Sequence, residues 1–551
     1  MESIIRPSLL SDESRRSLKN AYTASTPYPH CVIPDICNPD LLRRVRDEII
    51  ENVEATYKET DLFKMLQTGD LANMDKLDSE SAAKLPTVRA LRDAIYSLKF
   101  RQFISDVTGC GDLSDKTDCA CNIHPFGGHL LCHDDVIGDR RISYIIYLTD
   151  PDDAWKAEDG GALELYPEVQ GAPNTPDIIP TTTALPTWNT MAMFQVLPGR
   201  SFHSIQEVFT SEKPRMSIQG WFHAPVPPTD AARATLSQLQ AHPGEDDVVD
   251  KFTPFHQPCP PSPDAPLSPE DLSVLSSWLN PVYLNADDKG VQKIRACFKE
   301  DGSVQLHNFL SAEKASVIAQ AIAAADAADA LGGGHMPRYT AGIEVEKDKE
   351  GGWEAVGPCH KQRYLRFTGT FNSSTTTTTA AGTAGSLLQR IQTELFSSPA
   401  FARFINKLID IPLTHYRTEV RRFRPGLDYT VAHYGCVTLD PRLDAVLCFV
   451  SSSEEGMAQA WECGEMGGYE AYVLADEGED KPAEVYRGGG DEEGGGVLNV
   501  GPSFNCLSLV LRDEGLMRFV KYLSAQAPGS RWDVSGVYVP EDDSDDDDND
   551  D

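Results

Sequence analysis

Two residues apart in the segment LLCHDDVIGDRRISYIIYL stand a histidine and a carboxylate, His133 and Asp135. On a strand, positions i and i+2 face the same side, so both side chains are expected to reach one ion. A second histidine in a strand-like context, His203 of SFHSI, would complete a set of two imidazoles and one carboxylate. Such a set covers one face of an octahedral metal and leaves three positions open. That is the donor arrangement of a non-haem iron(II) centre that takes a bidentate 2-oxo acid and then dioxygen. Twelve residues after His203, behind the turn SEKP, comes Arg215. A strand, a turn and a return strand of that length would bring its guanidinium back beside the metal pocket. There its planar fork suits a carboxylate, through two parallel hydrogen bonds that a lysine cannot reproduce. A His-x-Asp pair by itself is usually incidental, and a lone arginine near a strand is usually a surface ion pair. The joint spacing is far more specific. Zinc is the main competing reading, because Cys119, Cys121, His124, His129 and Cys132 crowd the same region. No paired C-x-x-C is present there, however, and a carboxylate in the donor set favours iron.

The elements that must position these residues change character along the chain. Asn38-Pro39-Asp40 has the form of a helix start, and LLRRVRDEIIENV continues at helical spacing. Further helical runs are expected near Ala83 to Leu98 and Phe100 to Val107. After Cys121 the pattern becomes short β-type segments: Ile142 to Leu148, Ala162 to Tyr166, Met191 to Val196 and Met216 to Phe222. Helices followed by many short strands predict an α+β fold, a jelly-roll β-core supported by helices.

The second half repeats this plan. QLHNFLSAEK from Gln305 resembles VIPDICNPDL from Val32, Pro502 to Asn505 parallels Arg200 to His203, and RWDVSGVY from Arg531 parallels RMSIQGWF from Arg215. In this reading His433-Tyr434-Gly435 lacks the carboxylate and Asn505 takes the place of the second histidine, so the second copy should not hold iron. The expected layout is a catalytic domain over 1–257, a Pro/Ser-rich linker over 258–269, a degenerate domain over 270–540 and an acidic tail over 541–551. Ser373 to Gly385 and Gly488 to Gly496 read as flexible insertions.

At 551 residues and 40% hydrophobic content, the chain has enough apolar material for two packed cores. Charged residues interrupt the start of the chain before any secretory h-region, and no apolar run is long enough to span a bilayer. Thirteen cysteines scattered from Cys31 to Cys506 without a framework spacing suit reduced thiols in the cytoplasm or nucleus. A formal net charge of −35 should repel phosphate backbones and attract basic partners, so nucleic acid is not an expected direct ligand.

LLCHDDVIGDRRISYIIYL, GGALELYP, MAMFQVLPGRSFHSIQEV and RMSIQGWFH closely resemble the prolyl 3,4-dihydroxylase family acting on a small-subunit ribosomal protein. The resemblance runs from about Tyr28 to Tyr538 and is strongest between Leu130 and His223. It implies two double-stranded β-helix domains, the first catalytic and the second not. It also implies iron(II), 2-oxoglutarate and dioxygen, with L-ascorbate as reductant, and hydroxylation of a proline in the decoding-centre protein of the ribosome, a basic substrate. The family's metal ligands fall on His133, Asp135 and His203, and its 2-oxoglutarate contacts on Arg215 and Tyr147. His124 stands where family members often carry a further tyrosine. Two other functions fit the same features: an oxygenase acting on another protein residue, and an oxygen-responsive regulatory protein whose C-terminal half recruits a partner.

Overall fold

The computed structural model describes residues 4–226, 251–256, 262–285, 288–343, 352–369, 382–451, 457–474 and 496–541. The chain forms two compact units, the first taking in Met1–Gln240 together with a short later segment, Gly357–His360. Neither unit contains, among the described residues, a helix long and apolar enough to cross a membrane.

The first unit opens with helices at Asp12–Ala24 and Pro39–Asn52, and two more follow at Pro86–Ile95 and Leu98–Thr108. Asn38 caps the second of these, its side-chain oxygen accepting from the amides of Asp40 and Leu41. Pro39 fits behind it because a first-turn residue has no intrahelical acceptor for its amide. The expected run over Ala83 to Leu98 is shorter in the fold, ending at Ile95. Ser97 then caps the next helix, which stops at Gly109 in the left-handed region.

The strands of this unit are β1 (His30–Ile33), β2 (Ala55–Glu59), β3 (Phe63–Thr68), β4 (Cys119–His124), β5 (His129–His133), β6 (Arg140–Tyr147), β7 (Leu163–Leu165), β8 (Thr182–Ala184), β9 (Met191–Gln195), β10 (His203–Ile205) and β11 (Arg215–His223). They pair in the order β1-β9-β6-β11-β4-β3-β5-β10-β7-β8, with β2 beside β3. Sequence periodicity finds β6, β7, β9 and β11 but misses the β2–β3 hairpin, which lies between the runs read as helical. Along β6 the side chains alternate. Ile142, Tyr144 and Ile146 pack against the helices, while Ile145 and Tyr147 meet Leu163 and Leu165 of β7 and Phe194 of β9. The path of strands therefore folds over itself into a jelly roll with the helices outside. Each large aliphatic side chain buried in these layers contributes about 1.5–3 kcal/mol.

Gly357–His360 completes one wall of this unit. Cys359 is buried with Cys132, Tyr166 and Phe202, and the ring of His360 lies 5.0 Å from that of Phe202. The Cys359 thiol donates to the sulfur of Cys132 at 3.1 Å, and no disulfide forms among the described cysteines.

In the second unit the strands are β12 (Thr253–Pro254), β13 (Ser303–His307), β14 (Trp353–Val356), β15 (Gln362–Phe367), β16 (Leu413–Phe423), β17 (Tyr429–Thr430), β18 (Arg442–Phe449), β19 (Glu470–Leu474), β20 (Gly496–Val500), β21 (Cys506–Arg512), β22 (Leu516–Val520) and β23 (Arg531–Pro540). The main path is β13-β21-β18-β23-β16-β15-β14, and β20-β19-β22 forms a separate three-stranded sheet. Its first five strands repeat the order β1-β9-β6-β11-β4. Two flexible-loop expectations need trimming. Ala384 and Gly385 already belong to the helix Ala384–Ile391, and Gly496 begins β20. Residues 373–381 and 488–495 of those two stretches, like residues 258–261 of the linker and 542–551 of the tail, lie outside the described residues.

The order of strands also corrects the match of Asn505 with His203. Asn505 precedes β21 just as Asn189 precedes β9, and both adopt positive φ, 51° and 57°. Each asparagine bridges one residue through two hydrogen bonds. Asn189 accepts from the Cys37 amide and donates to the Cys37 carbonyl; Asn505 does the same at Leu310. Asn505 is therefore a structural tie rather than a lost metal ligand. Asn tolerates this backbone region better than other side-chain-bearing residues. Asn505→Ala and Asn189→Ala are each expected to destabilise their unit by about 2–4 kcal/mol, read as a lower denaturant midpoint. An unchanged midpoint for Asn505→Ala would refute the tie.

Candidate active site

His133 ends β5 and Asp135 lies just past it, so the expectation that both sit on one strand is not met. Asp135 instead takes φ of 59°, a left-handed turn that brings its carboxylate back to the histidine. His203 begins β10 directly opposite His133 in the antiparallel pair β5–β10. Nε2 of His133 is 3.3 Å from Asp135 Oδ1, Nε2 of His203 is 3.4 Å from Asp135 Oδ2, and the two rings are 4.2 Å apart. One ligand atom from each residue lies within 4.8 Å of the others.

Hydrogen bonds behind the three residues set which atoms point inward. Nδ1 of His133 lies 2.8 Å from the Leu131 carbonyl, and Nδ1 of His203 lies 2.9 Å from that of Ser201. A carbonyl can only accept, so Nδ1 carries the proton and the Nε2 lone pairs face the space between. Asp135 Oδ2 accepts from the Ser143 hydroxyl at 2.9 Å and from the Trp221 indole at 3.1 Å. Burial alone would raise the Asp135 carboxyl, but His203 and His133 overcome this and hold it well below the usual range. Two imidazoles that turn Nε2 inward and a carboxylate, all nearly buried, are the donor types an iron(II) ion needs, with positions left for other ligands. Ser143 and Trp221 carry no recognisable motif. Their signal in the sequence is positional only: Ser143 alternates with the outward-facing Ile142 and Tyr144, and Trp221 lies opposite it on β11.

Arg215 starts β11, opposite His124 on β4, and Tyr147 of β6 is paired with Ser217, two residues further along β11. The three side chains predicted to hold the co-substrate therefore come from adjacent strands. The Arg215 guanidinium has no exposed surface. Its Nε donates to the Gly161 carbonyl at 2.7 Å and Nη1 to the Ser217 hydroxyl at 3.3 Å, while Tyr147 presents its ring 5.2 Å away. Nη2 is buried without a hydrogen-bond partner, as are the Tyr147 hydroxyl, Nε2 of His124 and Nε2 of His203. Unmet donors and a buried positive charge demand an anion, and a carboxylate is the group that fits a guanidinium and a phenol together. Burial pushes the Tyr147 phenol up despite Arg215, so it remains a donor. Gly160 and Gly161 permit the approach. Both have positive φ, and a Cβ would fall 2.1 Å from the Glu207 carbonyl at Gly160 and 2.9 Å from Arg215 Cδ at Gly161.

The competing zinc reading does not assemble. Cys119 and Cys121 face the helices in the apolar core, and burial pushes each thiol up to about 12. His133, Asp135 and His203 form the only candidate metal group among the described residues.

His124 is held well below the ordinary imidazole value, first by burial and then by the charge of Arg215. Below about pH 6.5 the unfolded chain takes up a proton there that the folded chain refuses, so stability falls as pH falls. The slope from this group is up to about 1.4 kcal/mol per pH unit. Phe423 holds the matching position of the second unit, paired with Arg531. His124→Phe should remove this contribution, measured as denaturant stability between pH 7 and 5. An identical slope in the variant would show that His124 is charged in the folded protein.

Two family models match the chain: the 2OG-Fe(II) oxygenase superfamily over residues 119–223, and the Oxoglutarate and iron-dependent oxygenase degradation C-term over residues 270–547. The chain is 38% identical to a prolyl 3,4-dihydroxylase OGFOD1 of Ostreococcus tauri, covering 94% of this chain and 96% of that one. It is 28% identical to the prolyl 3-hydroxylases OGFOD1 of Xenopus laevis and Mus musculus, covering 91% and 93% of this chain and 84% and 89% of theirs. With the similarity running through both units and every residue of the metal constellation inside the matched oxygenase region, the chain belongs to the OGFOD1 family of prolyl hydroxylases.

Proposed function

We propose that this protein is an iron(II)- and 2-oxoglutarate-dependent hydroxylase of a prolyl residue, and that its substrate is a basic protein of the small ribosomal subunit. The observation that carries the reading is the pairing of two buried sites on one sheet. His133, Asp135 and His203 converge within 4.8 Å, and Arg215 offers an unpartnered Nη2 from the same jelly roll. The relatives' own names supply the prolyl residue, and the net charge of −35 favours a basic protein over a nucleic acid.

His133, Asp135 and His203 would hold the iron, and Arg215 with Tyr147 would hold the far carboxylate of 2-oxoglutarate. When bound, the metal and the oxo acid together supply the oxidising power that puts one atom of dioxygen into a C–H bond and the other into succinate. The protein's own part is placement. Ser143 and Trp221 fix the Asp135 carboxylate so that it presents one oxygen to each histidine's side. Neutral His124 beside Arg215 Nη1 adds no second charge to the pocket. Phe194, 4.5 Å from the His203 ring, and Leu163 form the apolar lining that keeps water from the reacting groups. We assign L-ascorbate as the reductant that keeps iron ferrous, and the cytoplasm and nucleus as the compartments, on the grounds of the family chemistry and the unbridged cysteines.

His133→Ala, Asp135→Ala and His203→Ala are each expected to abolish turnover with the fold retained. Iron titration with circular dichroism checks this, and near-normal iron binding with full activity in any variant would remove that residue from the set. Arg215→Lys should weaken 2-oxoglutarate binding by about 1.5–3 kcal/mol, or roughly 10- to 150-fold, with iron affinity little changed. Intact mass of the decoding-centre ribosomal protein, from cells with and without this enzyme, tests the substrate. One added oxygen means mono- and two mean dihydroxylation, and no shift means another substrate. Peptide-dependent succinate release separates an enzyme from an oxygen-responsive binding protein.

A further inference from the structure

The strand pair that carries Ser143 and Trp221 is interrupted at one place. Along β6 and β11 the register steps evenly from Tyr147 opposite Ser217 to Ile142 opposite Phe222, and then His223 meets Arg140 rather than Arg141. One extra residue on β6 makes this a bulge, and a bulge re-aims the side chain beside it. By plain alternation Arg140 would join Ile142 and Tyr144 against the helices. Arg141 goes that way instead, its Nε donating to the Cys110 carbonyl at 3.2 Å. Arg140 comes to the face of Ser143 and Trp221, where its guanidinium carbon lies 3.5 Å from the centre of the indole.

That indole is the group whose N–H donates to Asp135 Oδ2 at 3.1 Å. Trp221 also packs against Val136 and Val196, and the stacked guanidinium adds a planar, charged contact. A cation over the ring face draws on its π density, which makes the N–H a stronger donor toward a carboxylate. Arg140 is itself steadied by a row of charges. Its Nε lies 3.6 Å from Asp118 Oδ2, His223 bridges Asp118 at 3.0 Å and Asp139 at 2.7 Å, and Lys116 reaches Asp139 at 2.9 Å. A surface ion pair would be the ordinary use of such an arginine. The contact with Asp118 is too long for a hydrogen bond, however, whereas the ring contact sits at van der Waals separation.

The second unit lacks both features. There β18 and β23 keep an unbroken register from Phe449 opposite Trp532 to Leu443 opposite Tyr538. Val537 stands opposite Asp444 as Trp221 stands opposite Ser143. The bulge, the indole and the stacked cation thus accompany the unit that assembles a metal group, and among the described residues the second unit assembles none.

We propose that Arg140 is a positioning residue of the metal centre, acting through Trp221 to fix the Asp135 carboxylate. This role rests on the reading of His133, Asp135 and His203 as iron ligands. Metal-free full-length protein titrated with cobalt(II), a divalent probe with a visible ligand-field spectrum, is the test, and no turnover is required. Wild-type protein is expected to take up one cobalt per chain. Arg140→Leu should weaken uptake by about tenfold or more, as loss of a partner behind a metal ligand does, and should alter the spectrum. Trp221→Phe should weaken it likewise. Adding Arg140→Leu to Trp221→Phe should then cost less than about twofold more, because a path already broken cannot be broken again. Arg140→Lys, which keeps a cation over the ring, should recover affinity to within about threefold of wild type. If Arg140→Leu fails to fold by circular dichroism, Arg140→Gln takes its place in the same cycle. Tight cobalt binding by wild type with unchanged affinity in Arg140→Leu, losses that multiply in the double variant, or no recovery in Arg140→Lys would each overturn the role of Arg140 and leave the metal set standing. No cobalt uptake by wild-type protein would overturn both.

Discussion

A guanidinium sealed from water inside a β-barrel is the constraint on which the first unit depends. Removing a charge from water costs several kcal/mol unless partners replace the hydration. Around Arg215 the fold supplies only neutral partners: the Gly161 carbonyl, the Ser217 hydroxyl and the face of the Tyr147 ring. These compensate in part and leave one N–H edge open. Gly161 leaves room beside the Arg215 side chain, and burial keeps His124 uncharged and Tyr147 protonated, so that edge stays clear and unneutralised. An anion admitted to that edge would relieve a cost that folding has already incurred.

The second unit resolves the same constraint by different means. Its matching arginine meets Glu470, whose carboxyl burial alone would raise, but which Arg518, Arg531 and Arg421 hold far below the ordinary range. Ser217 is matched by Asp533 and the apolar Leu163 by Glu470, so a resident acid stands where the first unit leaves the arginine edge open. Two substitutions of this kind separate an open arginine edge from a structural ionic cluster while the backbone scaffold is kept, down to the asparagine ties at Cys37 and Leu310.

Much of the chemistry was legible in the sequence because it rests on spacing within short, regular segments. His133, His203 and Arg215 follow from spacing along strands, with Tyr147 implied by the family resemblance, and the structure sets His133 opposite His203 and Tyr147 opposite Ser217, two places along from Arg215. What escaped depends on backbone conformation or on distant pairing. The turn at Asp135 is invisible to a period-two pattern, since a left-handed aspartate reads like any strand residue. Asn505 was matched to His203 through the shared Ser-Phe, although its real counterpart, Asn189, sits in dissimilar local sequence and is identified only by the two hydrogen bonds it makes. The β2–β3 hairpin was hidden for a related reason. Its residues are mostly half-exposed, so burial imposes little alternation on them.

Gly357–His360 gives the first unit a dependence on time as well as on geometry. A nascent chain leaves the ribosome N-terminus first, and domains ordinarily fold in that order. Here β5 and β10, which carry the two histidines, emerge long before Cys359 has been polymerised. Until it has, Cys132, Tyr166 and Phe202 lack the residue that closes their cluster. The earlier half of the polypeptide must therefore wait, with that apolar surface uncovered, for a piece of the later half. A product of interrupted translation would contain His133, Asp135 and His203 and still lack a finished wall behind them.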